Sequence, residues 1–281
     1  QEEWREAIPP IISLFRMAQD SEVRSGTGVM LVTCYVRMDE FGNLFRFLPH
    51  CDEAARHDVG LNVALLEAGD SHYNLGEFQK ALLLYRLVML KQDLIDHYEK
   101  LLADLQGRIR PYVVDGKLSL WEHKDVQRRL QRRFNRLQQQ YEVLVDFQDY
   151  DLDVALRVAR CYSDLGRNWP AHAVYRRLYR ENPSEALADQ ACFSAFSVML
   201  DEREWELAVK EGYEYVERFP QGEFLDDATL NLMQVHMQRE QFELAYDMGR
   251  RALELSPDHE HVDQVKYLMG HVRFLQLAYD E

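Results

Sequence analysis

Three prolines, Pro183, Pro220 and Pro257, stand 37 residues apart in both steps, and each closes a similar phrase: Tyr179-Arg180-Glu181-Asn182-Pro183, Glu217-Arg218-Phe219-Pro220 and Glu254-Leu255-Ser256-Pro257. Twelve residues before each proline stands an alanine (Ala171, Ala208, Ala245), and three residues before those come Asn168, Trp205 and Phe242. A small residue and a helix stop at one fixed interval, with an aromatic in two of the three copies, mark a supersecondary unit repeated along the chain. Gly76, Phe78, Ala81 and Tyr85 carry the same phase, and Phe41 with Leu44 forms a weaker copy 37 residues earlier. Between Ala81 and Ala171 the offset is 90, which exceeds one period by 53 and predicts an insertion of that length.

Each unit reads as two antiparallel helices. Ala155, Val158, Ala159 and Tyr162 recur at helical spacing, and Leu165-Gly166 closes that first helix because glycine tolerates the left-handed cap. The alanine admits close approach of the second helix, and the proline ends it. Gly (13) and Pro (8) are scarce in the 281 residues, so turns are few and an all-β fold is not expected. One such pair cannot bury its apolar face alone, so neighbouring units must stack.

Cys161-Tyr162-Ser163-Asp164-Leu165-Gly166, followed by Ala171, Tyr175 and Pro183, resembles the tetratricopeptide repeat, as does Asn74 to Tyr85. The resemblance covers residues 28–92 and 152–281. It implies an all-α fold, an α-α superhelix of the tetratricopeptide type, here with an inserted long antiparallel helical hairpin. Arg203 and Glu240 stand where the family often has glycine, and Gly212 and Gly249 replace the second-helix aromatic. The link Phe219-Pro220-Gln221-Gly222-Glu223-Phe224-Leu225-Asp226-Asp227-Ala228 is similar to linkers of bacterial envelope repeat proteins, such as outer-membrane assembly lipoproteins and Tol-Pal-associated proteins.

In the second unit Asp93 replaces the terminating proline, so the helix is expected to run on along Leu87, Leu90, Leu94, Leu101 and Leu105 to about Gly107. A heptad seam follows: Val126, Leu130, Phe134, Leu137, Tyr141 and Leu144. Between them Pro111 to Trp121 reads as a short hairpin turning at Asp115-Gly116. Lys124, Arg128, Arg129, Arg132, Arg133 and Arg136 make a basic strip against Glu122 and Asp125. Either that strip docks an acidic partner, lipid headgroups or RNA, or it pairs with Asp93, Asp96, Glu99 and Asp104 of the facing helix. The organisation is therefore an N-terminal helical segment (1–27), two repeat units with the first degenerate (28–92), the hairpin (93–147), and three units with a capping helix (152–281).

Catalytic motifs are missing. Ser25-Gly26-Thr27-Gly28 lacks the Gly-Lys-Ser/Thr ending of a phosphate loop, and neither His-Glu-x-x-His nor Gly-x-Ser-x-Gly occurs. The most metal-like run, Asp258-His259-Glu260-His261-x-Asp263, falls where a solvated helix entrance belongs. His72 and His236 hold equivalent places on the buried first-helix stripe and read as packed residues. Cys34, Cys51, Cys161 and Cys192 form no C-x-x-C pair and read as buried free thiols. Fifty-three inserted residues are too few for a typical catalytic domain. No enzyme, cofactor or metal is expected. A net charge of −15 opposes general nucleic-acid binding. No apolar run reaches the roughly 20 residues that cross a bilayer. The chain opens at Gln1 without a Met, as a trimmed product would.

The resemblance implies a concave groove lined by first helices, here Leu66, Asp70, Tyr73 and Asn74, then Leu156, Arg160, Ser163 and Asp164. It continues through Phe193, Ser197, Leu200 and Asp201 to Leu230, Gln234, Met237 and Gln238. The chaperone-tail version clamps a terminal carboxylate with Lys and Asn; with Arg160 the only cation among these positions, that version is disfavoured. An apolar and acidic groove suits an amphipathic helix or a basic, apolar segment of another protein. The expected function is a non-catalytic scaffold in a bacterial periplasm or envelope. A cytoplasmic home is the alternative location, and RNA or anionic-lipid binding through residues 124–136 is the alternative function.

Overall fold

A computed structural model describes residues 2–51, 53–110, 113–114, 117–118, 124–183, 186–257 and 260–279. Among these the chain is helical apart from one two-residue ladder, and it divides into two compact units, Gln1–Val154 and Ala155–Glu281. The first contains α1 (Glu2–Met17), α2 (Ser21–Arg37), α3 (Phe41–Phe47), a 3-10 turn (Leu48–His50), α4 (Glu53–Arg56), α5 (Val59–Asn74), α6 (Phe78–Tyr85), α7 (Lys91–Ile109), β1 (Val113–Val114), β2 (Lys117–Leu118) and α8 (Lys124–Asp146). α9 (Asp151–Asp164) leads into the second, which holds α10 (Asn168–Glu181), α11 (Ala186–Asp201), α12 (Trp205–Arg218), α13 (Leu225–Gln238), α14 (Phe242–Leu255) and α15 (Val262–Tyr279). From α10 onward each helix packs on the next. In the first unit α2 runs through residue 28 and packs on α1, and its core joins Leu31, Val32, Tyr35, Leu44, Leu61 and Leu84.

One turn recurs five times. Glu40, Glu77, Arg167, Glu204 and Gln241 each donate a backbone N–H to the carbonyl five residues back, on Tyr35, His72, Tyr162, Met199 and His236. The residue before each donor has positive φ: Asp39 at 61°, Gly76 at 75°, Gly166 at 66°, Arg203 at 58° and Glu240 at 58°. This is the left-handed helix ending that glycine favours, kept at three positions by residues with side chains. The acceptors step by 37, 90, 37 and 37 residues, which is the sequence period with its insertion. The phase holds in the packing as well. Leu44, Ala81, Ala171, Ala208 and Ala245 are each fully buried. Asn182, Phe219 and Ser256, each before a proline, leave the helix with ψ of 60°, 61° and 88°.

Bulk is conserved as a pair rather than at a site. A Cβ on Gly69 would come 2.5 Å from the Tyr85 ring. The same phase sets Ala159 with Tyr175, then Phe196 with Gly212 and Met233 with Gly249. A Cβ on Gly212 would lie 3.0 Å from Phe196 and 2.7 Å from Leu232, and one on Gly249 3.1 Å from Met233 and 2.7 Å from Met269. Gly212 and Gly249, read from sequence as missing aromatics, are the small halves of inverted pairs. Close packing leaves no room for two large partners or two small ones.

The expected continuous helix after α6 does not form. α6 stops at Tyr85, and α7 begins only at Lys91. Leu87 and Leu90 lie off the helix because the intervening backbone is bonded elsewhere. Met89 N–H donates to Asn62 Oδ1 (2.6 Å), and Tyr150 Oη donates to the Met89 carbonyl (3.0 Å). Asp151 then caps α7 through Lys91 N–H (2.5 Å) and Gln92 N–H (3.3 Å). The buried stripe of α7 is Leu94, Tyr98, Leu102, Leu105 and Ile109, with Leu101 half-buried. In the α8 seam Leu144 is buried and Leu130, Phe134, Leu137 and Tyr141 are half-buried, whereas Val126 is exposed and Gln127 buried beside it. Val113 pairs with Leu118 and Val114 with Lys117, an antiparallel ladder where a hairpin is expected; its turn, Asp115-Gly116, lies outside the described residues.

Candidate functional site

Five of the expected groove residues surround one cavity. Ser197, Leu200 and Asp201 enter it from α11, Gln234 and Gln238 from α13. Trp205, Asn231 and Val235 complete the lining, and the volume is about 360 Å³. The phase explains the convergence, since Ser197 and Gln234, and likewise Asp201 and Gln238, stand one period apart on successive first helices. The lining is an apolar wall of Leu200, Trp205 and Val235 beside three amides and a carboxylate. Such a surface can hydrogen-bond a peptide backbone and attract a cation. Trp205 was legible as a repeat aromatic but not as lining, because its place at the start of α12 depends on the turn before it.

The other groove positions do different work. Leu156 and Leu230 are buried, and Arg160, Ser163 and Met237 are half-buried. Asp164 is exposed. Phe193 stacks on Phe224 of the linker, with centroids 4.7 Å apart and planes at 7°, and meets Phe196 and Tyr215 edge-on. In α5, Leu66 packs on the first unit's core, Asp70 accepts a bond from Tyr85 Oη (2.7 Å), Tyr73 abuts Phe78 and Asn74 is exposed.

On α8, Arg128, Arg129, Arg132 and Arg136 are exposed and Arg133 half-exposed; the Lys124 side chain lies outside the described residues. The register of α7 against α8 separates the strip from part of the acid set named above. Tyr141 Oη donates to Glu99 (2.9 Å), and this antiparallel register carries Asp93 and Asp96 towards the far end of α8. It brings Arg108 to the level of Arg132. Asp104 is held by Arg108 (3.7 Å), and Asp125 reaches Arg128 (4.0 Å). Among the described residues Arg129, Arg132 and Arg133 have no ion pair. With Arg136, Val126, Leu130 and Asp20 they border a cavity of about 380 Å³.

His72 and His236 are buried, as their stripe implies. His236 binds Gln241 (2.9 Å) and Tyr213 (3.1 Å). His72 lies between Glu77 (2.6 Å) and Asp39 (3.6 Å), a set with the ligand types of a metal site. The Lys80 ammonium occupies the place a cation would take, 2.7 Å from Asp39 and 3.2 Å from Glu77. Hydrogen bonds from His72 and then Lys80 hold the Glu77 carboxyl below its usual range. Of the Asp258–Asp263 run, Asp258 and His259 lie outside the described residues; Glu260 N–H and His261 bond Asp226 (2.7 Å) and Asp227 (3.2 Å). All four thiols are buried, and burial pushes Cys161 and Cys192 up to about 12.

One charged cluster gave no sequence signal. Glu211 on α12 is fully buried, receiving Tyr179 Oη (2.6 Å) and facing His172 Nε2 (3.3 Å) and Arg176 Nε (3.5 Å). Burial alone would raise its carboxyl. Bonds from His172 and Tyr179, and the fields of His172 and Arg176, outweigh that and hold it below the ordinary value. Its partners come from the preceding hairpin, 32 to 39 residues away, a separation no local pattern encodes.

No protein-family model matches the chain, and no curated protein matches it. Among the described residues no helix is long and apolar enough to cross a membrane.

Proposed function

We propose that the chain is a non-catalytic scaffold of the tetratricopeptide type, a superhelix of stacked helical hairpins interrupted by the α7–α8 hairpin. It holds a basic, apolar segment or amphipathic helix of another protein against the first helices. The observation that carries this reading is the fivefold turn at steps of 37, 90, 37 and 37. The α11–α13 cavity supplies the docking chemistry, with amides for a backbone, Trp205 and Leu200 for an apolar side chain, and Asp201 for a cation. The linker around Pro220 supports a role in assembling a bacterial envelope complex, by resemblance alone.

Peptides selected from a displayed library on the full-length chain test this. They should be rich in Lys or Arg beside Leu or Phe, and should lose about tenfold in affinity, near 1.4 kcal/mol, on Leu200→Glu or Asp201→Lys. Ligands indifferent to both substitutions would refute the groove.

A second reading rests on the basic strip, where Arg129, Arg132 and Arg133 have no ion pair among the described residues and Arg108 lies alongside. It makes α8 a binder of RNA or anionic lipid. Binding should then fall steeply with salt and vanish on reversing Arg128, Arg132 and Arg136 to Glu; salt-independent binding would refute it.

A further inference from the structure

The small-against-large pairing leaves one position open. Gly270 on α15 follows Met233 by 37 residues, the step that also separates Ala159, Phe196 and Met233. A bulky side chain should oppose it, as Tyr85 opposes Gly69, yet a Cβ at Gly270 would meet nothing within 4 Å. α15 also stays helical through residues 273–278, where the register would place a sixth turn. Among the described residues no tight turn at this phase folds a second helix over Gly270.

The open side of α15 is apolar. Tyr267, Phe274 and Leu277 are 70%, 66% and 70% exposed, while Val265 and Val272 on the opposite side are fully buried against the unit. Arg273 turns away from the open side, bonded to Glu243 (3.1 Å) with its guanidinium 3.8 Å from the Tyr246 ring.

We infer that this face is a self-association surface, on which α15 of a second copy of the chain lies antiparallel. The face complements itself. Setting Phe274 of one copy over Gly270 of the other makes two-fold symmetry deliver the reciprocal contact. The same register opposes Tyr267 to Leu277 in both directions. All four apolar positions then find partners, and each glycine receives a ring, as Gly69 does within the chain. Leu244 on α14, 46% exposed and sharing a cavity with Leu277, widens the apolar surface. The three large side chains offer roughly 400 Å² per copy, the size at which exposed apolar patches mark interaction sites. Two such patches bury about 800 Å², short of the ~1,200 Å² of stable interfaces, so the dimer is weak and concentration-dependent.

Sedimentation equilibrium of the full chain from about 1 µM to about 500 µM reads a dissociation constant of this class. Wild type should pass from monomer towards dimer across that range. Phe274→Glu and Gly270→Leu, both at open positions, should each weaken association by at least about tenfold while leaving the helical circular dichroism unchanged. In a mixture, Tyr267→Cys on one chain and Leu277→Cys on another should cross-link under mild oxidation. A wild-type chain that stays monomeric overturns the inference, as does a dimer that both variants leave intact or a cysteine pair that fails to link.

Discussion

Replacing Gly212 by alanine tests the pairing of bulk where two residues crowd one glycine. Alanine is the better helix former by about 1 kcal/mol, and Gly212 lies inside α12, so propensity alone predicts a gain. Packing predicts the opposite. The new Cβ would lie 2.7 Å from Leu232 Cδ2, 2.9 Å from Leu232 Cγ and 3.0 Å from Phe196 Cε2, and both neighbours are fully buried. Overpacking of this kind costs about 1–3 kcal/mol, so the net expectation is a loss near 1 kcal/mol. Leu232→Ala alone should cost about 2–5 kcal/mol by opening a cavity.

In the Leu232→Ala background the methyl of Gly212→Ala enters the vacated space. The substitution should then stabilise by about 1 kcal/mol, a change of sign and a coupling near 2 kcal/mol. Urea unfolding of the four proteins, followed by far-ultraviolet circular dichroism, measures all the terms. Effects that add to within about 0.5 kcal/mol would mean that the two sites do not share bulk, and the reasoning would fall.

Three further outcomes follow from the same contacts. Glu211→Gln should cost about 3–5 kcal/mol, because His172 and Arg176 lose their buried counter-charge. The Glu211 carboxyl is held below its ordinary value of 4.5, so its stabilisation is complete above that pH and is lost as pH falls through the lower folded value; the variant's acid-unfolding profile should lack that component. Asp151→Ala removes the cap of α7 and should cost about 1 kcal/mol in urea unfolding, with amide exchange accelerated first at Lys91 and Gln92. No thiol should react with a disulfide reagent in the native protein and all four should react in denaturant; a fast native reaction would contradict the burial of Cys161 and Cys192.

What the sequence revealed and what it hid divide along the range of the interactions. The period was legible because each unit's small residue and its stop recur within about 15 residues, inside the reach of local pattern. Gly76 and Gly166 announced two of the five turns. Asp39, Arg203 and Glu240 did not, since a left-handed residue with a side chain is a local cost that the flanking helices impose. Gly212 and Gly249 looked like defects because their bulk had moved to Phe196 and Met233, visible only when two helices are laid together. The break after Tyr85 was missed for a related reason. Asn62, Tyr150 and Asp151, which hold residues 89–92, lie 27 to 61 positions away. At the cavity, phase located Ser197 and Gln234; that Phe193 is spent on Phe224 was not readable from spacing.

Those distant bonds also close the base of the insertion. α6 is only eight residues long, against 14 for α10, α12 and α14, and it ends on Tyr85. Tyr85 is the last residue its hairpin requires, since its ring fills the space at Gly69 and its hydroxyl binds Asp70. Beyond it the second helix is dispensable, and the insertion begins there. The chain leaves at Met89–Gln92 and returns at Tyr150–Asp151, and those two points are bonded to each other through Met89 O, Lys91 N and Gln92 N. Lys91 Nζ tightens the junction by donating to the carbonyls of Val145 (3.0 Å) and Phe147 (2.5 Å). The segment between these two points is thus an excursion closed at its base. Closing a loop costs little more as the loop lengthens, so the hairpin's length is nearly free of penalty once its base is pinned. Unpinning the base should therefore do more damage than shortening the hairpin: Asp151→Ala combined with Lys91→Met should destabilise the N-terminal unit more than a deletion of several turns from the far end of α7 and α8. Equal losses in urea unfolding would refute that ranking.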